Sequence, residues 1–418
     1  MKLRIEKAIY GGDGLARVPE GKTVFVPGTL PGELVEATIA ADKRSFATGA
    51  LDAVLELSPE RVLPGCEYVP RCGGCQYQHA NPGFQLQMKL DILKETLTRA
   101  HLPLPNEIGS VAGPPWGYRN RIRLHMMGGA LGYRQRGSHN LLRVTHCPIA
   151  APLLEKAIAA VERIAKETAL GSLCEEVEFF TNGEQDQLLV SLWSKKPRRL
   201  HERSLEAFAE RLQVEIPVLT GVGLWAQQSS SMMHWGQRSL TYTVSGIPYQ
   251  VSLGSFFQVN RFLVADLLKV AIGNRLGRMA WDLYSGVGLF AQALAYDNVI
   301  AVESEGFSTD DLKTNLENKG HRVIRSNTLE FLRGQAQGQE KPELILVDPP
   351  RAGLGKEICA HLAGVAAPEI VYVSCDPATL ARDLQSLLQS GYSVEKMALI
   401  DLFPQTFHME TVSLLKRN

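Results

Sequence analysis

The pattern of hydrophobic and polar positions changes twice along the chain. Up to about residue 58, short β-branched stretches such as KTVFVPG are separated by glycine and proline turns, which is typical of a small β-barrel. From about residue 110 to 250, strand-like stretches such as RNRIRLHMM alternate with one or two helices, which indicates an α+β fold. Beyond about residue 250, apolar strands and helices alternate regularly, and this predicts a mostly parallel, doubly wound sheet.

These changes divide the sequence into three predicted domains. We expect an OB-like β-barrel over residues 1–58, a central α+β domain over residues 59–248, and a Rossmann-like α/β domain over residues 249–418. FQLQMKLDILKETLTRA has apolar residues at helical spacing, and this helix, over about 84–100, could pack on the third domain. With no apolar run of membrane-spanning length and a charged N-terminal stretch, a cytoplasmic protein is expected. The sequence has no coiled-coil or extended apolar surface signal, so a monomer is expected.

Polar side chains gather where the predicted strands of the third domain end. The first strand leads into Asp282 and a glycine loop, and the next four end at Glu303, Asn327, Asp348 and Cys375. The C-terminal ends of strands in an open α/β sheet form its ligand-binding edge. Five consecutive strands that deliver polar groups to one edge therefore predict a ligand site.

The glycine loop DLYSGVGLF narrows the class of ligand. A Gly-x-Gly turn also opens nicotinamide-binding folds, but Ala291 replaces the third glycine of that fingerprint. This replacement favours a nucleoside cofactor without phosphates, such as S-adenosylmethionine, over a dinucleotide. The carboxylate of Glu303 is placed to accept the hydroxyls of a ribose.

A cysteine beside such a cofactor suits the methylation of uracil. Carbon 5 of uracil is too weak a nucleophile until a thiolate adds to carbon 6, and Cys375 closes the apolar strand VYVSC at the ligand edge. A base must then remove the proton from carbon 5. Glu410, just ahead of the last predicted strand, is the candidate, and His408 competes with it. Cys174 and Cys359 lie in edge or helical contexts and are interpreted as structural.

Four further cysteines form a separate group. Cys66, Cys72 and Cys75 lie close together in sequence, and Cys147 follows much later in HCP. In a cytoplasmic chain such a group indicates metal binding or catalysis rather than disulfides. Four thiolates can hold a tetrahedral zinc ion or a closed [4Fe–4S] cluster, and the spacing does not choose between them.

Charge is uneven along a chain whose net charge is zero. The 44 basic and 44 acidic residues argue mildly against a nucleic-acid binder, yet residues 108–154 contain no Asp or Glu. The arginines in this stretch are Arg119, Arg121, Arg123, Arg134, Arg136 and Arg143. The first three alternate and would share one face of a strand, as either an RNA contact or a solvated face.

Five motifs together resemble one family. SFFQVN (255–260), DLYSGVGLF (282–290), DPPRAG (348–353), SCDPATLARD (374–383) and FPQTFHME (403–410) are similar, in this order, to those of the RNA uracil-C5 methyltransferases. The resemblance implies a class I methyltransferase domain in which Cys375 is the nucleophile and Glu410 the base. It also implies that S-adenosylmethionine is held by Gln258, Tyr284, Glu303, Asn327 and Asp348.

The rest of the chain is similar to one branch of that family. CGGCQYQH and HCP resemble its cluster-bearing branch, which implies a [4Fe–4S] cluster on Cys66, Cys72, Cys75 and Cys147, and the N-terminal segment resembles the RNA-binding TRAM domain. This branch implies 23S rRNA as substrate, with a flipped-out uridine and the arginines on phosphate. Two alternatives are methylation of tRNA uridine 54 and a non-catalytic iron–sulfur RNA-binding protein.

Overall fold

Four β-sheets organise the part of the chain that the structure describes. The structure is a computed structural model and describes residues 1–19, 21–103, 105–194, 202–226, 232–335 and 341–418. Its sheets have six, seven, two and eight strands. Within the same ranges, none of the helices has both the length and the apolar composition needed to cross a membrane.

The first sheet curves around a small apolar core. Its strands are β1 (Lys2–Arg4), β2 (Lys7–Ala8), β3 (Asp13–Arg17), β4 (Thr23–Pro27), β5 (Leu34–Asp42) and β6 (Phe46–Glu56), in the spatial order β1-β5-β6-β4-β3-β2. Ile5 donates its backbone N–H to Glu33 at 2.9 Å, and Glu6 donates to Leu15 of β3 at 2.8 Å. These two consecutive residues therefore connect the opposite sides of the sheet.

One long helix and one short strand link this sheet to the rest. Helix α1 (Pro82–Arg99) starts after Asn81, whose side chain accepts the N–H of Phe84 at 2.8 Å, and has proline in its first turn. Strand β7 (Ile108–Val111) follows. The helix starts two residues before Phe84, where the apolar periodicity of the sequence begins.

The central sheet is covered on one face by helices. Its elements are β8 (Arg121–Met127), β9 (Ala130–Arg134), β10 (Leu141–Arg143), α2 (Pro152–Lys166), α3 (Leu170–Leu173), β11 (Cys174–Thr181), β12 (Leu188–Ser194), α4 (Glu202–Glu215), β13 (Leu219–Ala226) and β14 (Met232–Gly236). The strand order is β10-β9-β8-β11-β12-β13-β14. Ile158 and Val161 of α2 and Phe208 of α4 are fully buried in the core beneath the sheet. The three-residue spacing of Ile158 and Val161 is that of one apolar helix face.

The C-terminal part contains a hairpin and the largest sheet. Its elements are β15 (Ser239–Val244), β16 (Ile247–Ser252), α5 (Val264–Ile272), β17 (Leu276–Leu283), α6 (Leu289–Ala293), β18 (Ala295–Glu303), α7 (Gly306–Leu316), β19 (Arg322–Arg325), α8 (Thr328–Gln335), β20 (Leu344–Val347), α9 (Gly355–Val365), β21 (Glu369–Ser374), α10 (Pro377–Gln389), β22 (Tyr392–Ile400) and β23 (Glu410–Arg417). The sheet order is β19-β18-β17-β20-β21-β23-β22-β7, with only β23 antiparallel to its neighbours in this described sheet. The mostly parallel α/β sheet expected from the sequence is present, and β7 and β22 are additions to it.

Helix α1 packs on this C-terminal sheet. Its buried Met88 and Leu93 share a core with Trp281 of β17, and its Lys89 is fully buried. The ammonium group of Lys89 donates to Asp401 Oδ1 at 2.6 Å and to the carbonyl of Phe403 at 2.9 Å. A buried charge requires such a partner, so this pair fixes the helix over residues 401–409, which we call the 401–409 loop.

We expect Lys89→Met to destabilise the protein by about 3 kcal/mol, because Asp401 would remain buried without its cation. The midpoint of chemical denaturation measures the change. Lys94→Met is the matched control, since Lys94 is on the same helix and exposed. Equal midpoints for the two variants would contradict a role for the buried pair.

Candidate active site

A cleft of about 700 Å³ lies at the C-terminal ends of the parallel strands. Residues that follow β17, β20 and β21, and the last residue of β18, line it. The lining includes Gln258, Tyr284, Glu303, Asp348, Cys375 and Glu410. The structure thus brings six of the predicted catalytic and cofactor-binding residues together, and Asn327 is not part of the lining.

The glycine loop turns sharply into helix α6. Gly288 has φ +91° at the start of the helix, and Tyr284 adopts φ +64°, which is rare for a residue other than glycine. The carboxyl of Asp282 accepts the N–H of Ala291 at 2.9 Å and is fully buried. Asp282 therefore holds the loop from beneath, and the residue in place of the third glycine supplies the donor.

Glu303 is tied to the backbone around the cleft. Its Oε2 accepts the N–H of Gly286 at 2.9 Å, and its Oε1 accepts those of Ser304 and Glu305 at 2.7 Å each. Asn327 has a different task in the structure, because its side-chain oxygen accepts the N–H of Glu330 at 2.9 Å in the first turn of α8. Its assignment to the cofactor stays a prediction.

Acidic groups and the thiol share the interior of the cleft. Burial raises the pKa of Asp348 to about 7, and burial followed by the charge of Asp348 raises the pKa of Glu410. Burial, then the charges of Glu410 and Asp348, raises the pKa of Cys375 to about 12. Within the described ranges, Glu410 Oε1 has no hydrogen-bond partner although it is buried, which leaves it available to a bound molecule.

His408, the competing base, lies on the same wall of the cleft. Burial and the neighbouring Arg351 lower its pKa to about 4, and a guanidinium nitrogen of Arg351 lies 3.3 Å from its Nε2. The imidazole is thus neutral at physiological pH. Arg351 and His408 together bring a cation and a polar ring to the rim.

The SFFQVN segment presents its residues in alternate directions. Phe256 is 59% exposed at the cleft, whereas Phe257 is buried against Tyr242, with ring centroids 4.5 Å apart. The side chain of Gln258 reaches Asp348, with its Nε2 3.5 Å from Oδ2. Sequence reasoning did not identify Phe256, and an exposed aromatic side chain beside a cleft is the signal that finds it.

Arg121 supports this segment from the central sheet. It donates to the carbonyl of Ser255 at 2.5 Å, and its guanidinium carbon lies 3.9 Å from the ring centroid of Phe180. The hydroxyl of Ser255 in turn donates to Asp311 at 2.6 Å. Arg121 is largely buried, so its observed contacts are internal ones.

The other predicted RNA-binding arginines differ in position. Arg119 lines the cleft. Arg123, Arg136 and Arg143 pair with Glu176, Asp13 and Glu162, and Arg134 donates to the carbonyl of His139. Acidic residues from other segments thus neutralise part of the positive charge of residues 108–154. RNA binding by these side chains stays a prediction.

The four clustered cysteines come to one region of the central part. Cys147 is buried in its core, and Cys66, Cys72 and Cys75 pack against that core. Among the described residues, no group of three or more His, Cys, Asp or Glu side chains is arranged to hold a metal ion. The four cysteines therefore lie in one region, but their side chains in the described part of the chain are not arranged as a metal site.

Comparison with known proteins adds the family. Residues 84–418 match the model of the tRNA (Uracil-5-)-methyltransferase family, and residues 1–51 match the TRAM domain. The 23S rRNA (uracil(1939)-C(5))-methyltransferase RlmD of Chromohalobacter salexigens is 32% identical over 100% of this chain and 89% of its own length. The protein of the same name from Edwardsiella ictaluri is 32% identical over 97% of this chain and 93% of its own.

A solved structure shares the fold. The Pyrococcus abyssi tRNA (uracil-54, C5)-methyltransferase, in complex with S-adenosyl-L-homocysteine, superposes with a TM-score of 0.76 at 22% identity, over 99% of this chain and 100% of that one. The family match covers most of the sequence, including all five motifs at the cleft. The chain therefore belongs to the tRNA (Uracil-5-)-methyltransferase family of RNA uracil-C5 methyltransferases and carries a TRAM domain over residues 1–51.

Proposed function

We propose that this enzyme methylates carbon 5 of a uridine in 23S rRNA, with S-adenosylmethionine as methyl donor. The observation that carries the chemistry is the single cleft that Cys375 and Glu410 share with the glycine loop. The names of the two 23S rRNA methyltransferases, which match nearly the whole chain, support the substrate. Methylation of tRNA is the alternative within the same chemistry.

The cleft fits a nucleoside methyl donor. Glu303 would accept ribose hydroxyls, Tyr284 and Gln258 would border the nucleoside and its tail, and Asp348 would face the positive charge. Among the residues that the structure describes, none hydrogen-bonds to one oxygen of the fully buried Asp282 carboxyl, and a cation bound nearby would stabilise the ionised form of this group. When bound, the donor supplies an electrophilic methyl group on a cationic sulfur.

Cys375 and Glu410 would divide the reaction between them. The thiol of Cys375 would lose its proton to solvent, and the thiolate would add to carbon 6 of uracil. This addition places electron density on carbon 5, which would then take the methyl group. Glu410 then removes the proton from carbon 5, and elimination breaks the bond between sulfur and carbon 6. The negative charge of Asp348 raises the proton affinity of Glu410, and a cationic donor held in the cleft would offset this effect until its methyl group has left.

The target base must leave its helix to reach Cys375. Phe256 offers an exposed ring at the cleft for stacking, and Arg119 and Arg351 offer cations for the RNA backbone. The TRAM domain extends this surface, because Tyr10 reaches the cleft from it, with its hydroxyl 3.5 Å from the carbonyl of Cys375. RNA held by the TRAM domain would therefore approach the nucleophile directly.

The four cysteines would hold a [4Fe–4S] cluster. The donor set fits, since Cys66, Cys72, Cys75 and Cys147 border one core, and the N–H of Gly74 points at Cys72 Sγ from 3.4 Å. Such a cluster would stabilise the central part structurally.

Methyl transfer from labelled S-adenosylmethionine tests the function. We expect label in 5-methyluridine from unmodified 23S rRNA and none from unmodified tRNA, with nucleoside mass spectrometry of each digest. Cys375→Ala should abolish product, whereas Cys359→Ala, at a buried thiol away from the cleft, should keep it. Label in tRNA alone would show that tRNA is the substrate and would leave the proposed mechanism unchanged. No label in either would favour the non-catalytic RNA-binding alternative.

The pH dependence of thiol alkylation tests the electrostatics of the cleft. Because the pKa of Cys375 is raised to about 12, the thiolate fraction is small at neutral pH and grows as pH rises. We expect iodoacetamide to modify Cys375 roughly tenfold faster per unit between about pH 7 and about pH 10. Mass spectrometry of the Cys375 peptide gives the rate. A rate that is flat over this range would refute a buried, protonated thiol.

Iron content tests the cluster. We expect the purified protein to be brown, with charge-transfer absorption in the blue, and Cys147→Ala to lose both colour and iron. Cys174→Ala is the control, since Cys174 is buried in the same core but outside the four. A colourless protein that contains zinc would overturn this assignment.

A further inference from the structure

The 401–409 loop is held by parts of the chain far from it in sequence. It joins β22 to β23 without regular secondary structure, and most of it is buried. Four successive carbonyls accept hydrogen bonds from other segments: Leu402 from Asn260 at 3.0 Å, Phe403 from Lys89 at 2.9 Å, Pro404 from Tyr118 at 3.1 Å, and Gln405 from the N–H groups of Gln76 and Tyr77 at 2.9 Å each. Its course is therefore imposed from outside.

Gln405 is the most constrained residue of the loop. It is 2% exposed and adopts φ +68°, a conformation rare for residues other than glycine. Its N–H donates to Gln85 Oε1 at 2.8 Å, and its own Oε1 accepts from Gln85 Nε2 at 3.0 Å. The side chain of Gln85 thus fixes both the backbone and the side chain of Gln405.

Gln85 also binds the segment that follows the cysteines. Its Nε2 lies 3.1 Å from the carbonyl of Tyr77 and 2.8 Å from that of Ala80. Tyr77 is the residue whose N–H donates to Gln405. Gln85, Gln405 and residues 76–80 therefore form one buried hydrogen-bond network, with Gln85 on helix α1 at its centre.

This hydrogen-bond network lies behind the cleft-lining residues that neighbour Glu410. Phe403 and His408, at either side of Gln405, line the cleft together with Glu410. None of the described residues hydrogen-bonds to Glu410 Oε1, so the direction of the carboxylate depends on the side chains that pack around it. We propose that Gln85 is a positioning residue for proton removal by Glu410, acting through Gln405 and the 401–409 loop.

This inference rests on the proposed role of Glu410 and makes a distinctive chemical statement. Before methylation, the thiol of Cys375 loses its proton to solvent and adds as thiolate to carbon 6, and carbon 5 then takes the methyl group. Removal of the carbon 5 proton comes last: Glu410 takes this proton, the electron pair of that bond re-forms the ring double bond, and Cys375 leaves as thiolate. A misplaced Glu410 should therefore leave methylated RNA covalently attached to the enzyme.

The test follows the labelled methyl group through this step. The wild type, Gln85→Leu and Glu410→Gln proteins are incubated with labelled S-adenosylmethionine and the RNA that accepts methyl groups in the assay above. Denaturing gels then separate labelled free RNA from labelled protein–RNA adduct. We expect Glu410→Gln to lower turnover by about 100-fold or more and Gln85→Leu by roughly tenfold, both with accumulated adduct.

Two variants serve as matched controls. Gln87→Leu makes the same change two residues away, where the side chain is exposed and donates to Asp91, and it should turn over as the wild type does without adduct. Gln405→Gly keeps the backbone hydrogen bonds and removes the strain of the positive φ, so its defect should be smaller than that of Gln85→Leu. Affinity for S-adenosylmethionine and circular dichroism report on folding.

The outcomes separate the two hypotheses. Adduct with Gln85→Leu and Glu410→Gln but not with Gln87→Leu supports the positioning role. A Gln85→Leu protein that loses adduct formation and free product in equal measure, or releases product normally, would overturn it. If Glu410→Gln itself releases methylated RNA without adduct, the assignment of Glu410 as base fails, and the inference built on it fails for that separate reason.

Discussion

The concentration of acidic groups in and beneath the cleft is the constraint on which the site depends. Burial raises the pKa of Asp282 to about 8, with smaller contributions from nearby carboxyls, and raises that of Asp348 to about 7. Such a cleft favours a cation, because positive charge stabilises the ionised carboxylates. Under the proposed mechanism this preference binds the methyl donor, and the loss of charge on methyl transfer makes Glu410 a stronger base. The same groups thus serve binding and proton removal in turn.

A cleft of this kind must be built from rigid parts, since carboxylates that repel each other would otherwise move apart. Strand ends fix Asp348 and Cys375, and Asp282 is bound to the N–H of Ala291. Glu410 opens β23 opposite Ile400, but the loop between them needs supports from helix α1 and from the segment after Cys75. The C-terminal sheet alone therefore does not complete the active site.

The sequence predicted the parts of the fold that local patterns encode. Parallel strands buried on both faces read as apolar runs, so β17, β18, β20 and β21 and their polar ends were identified, and with them most of the cleft. Strand β22 was missed because YSVEKMALI alternates with charged residues near an edge. Strand β7 was missed because four residues far from the sheet in sequence carry no local signal of joining it.

Long-range contacts explain the remaining differences. Arg121 and Arg123 seemed free of acidic neighbours only because Glu178 and Glu176 lie on β11, more than fifty residues along the chain. Asn327 follows β19 as expected, yet the start of α8 takes its side-chain oxygen as a cap. Ion pairs between residues that are far apart in sequence form only when the chain has folded, so a short stretch of sequence does not predict them.

The same dependence on distant contacts brings the TRAM domain and the cysteine segment against the 401–409 loop. Tyr10 packs edge-on against Phe407, with ring centroids 5.2 Å apart, and the side chain of Gln76, next to Cys75, accepts the N–H of Phe407 at 3.4 Å. A Cβ added at Gly12 would lie 2.7 Å from the Cβ of Gln76, so the TRAM turn fits closely against this contact. Three parts of the chain thus meet at the loop before Glu410. Because packed interiors transmit small displacements, a shift of the TRAM turn or of the cysteine segment would move the loop that precedes Glu410.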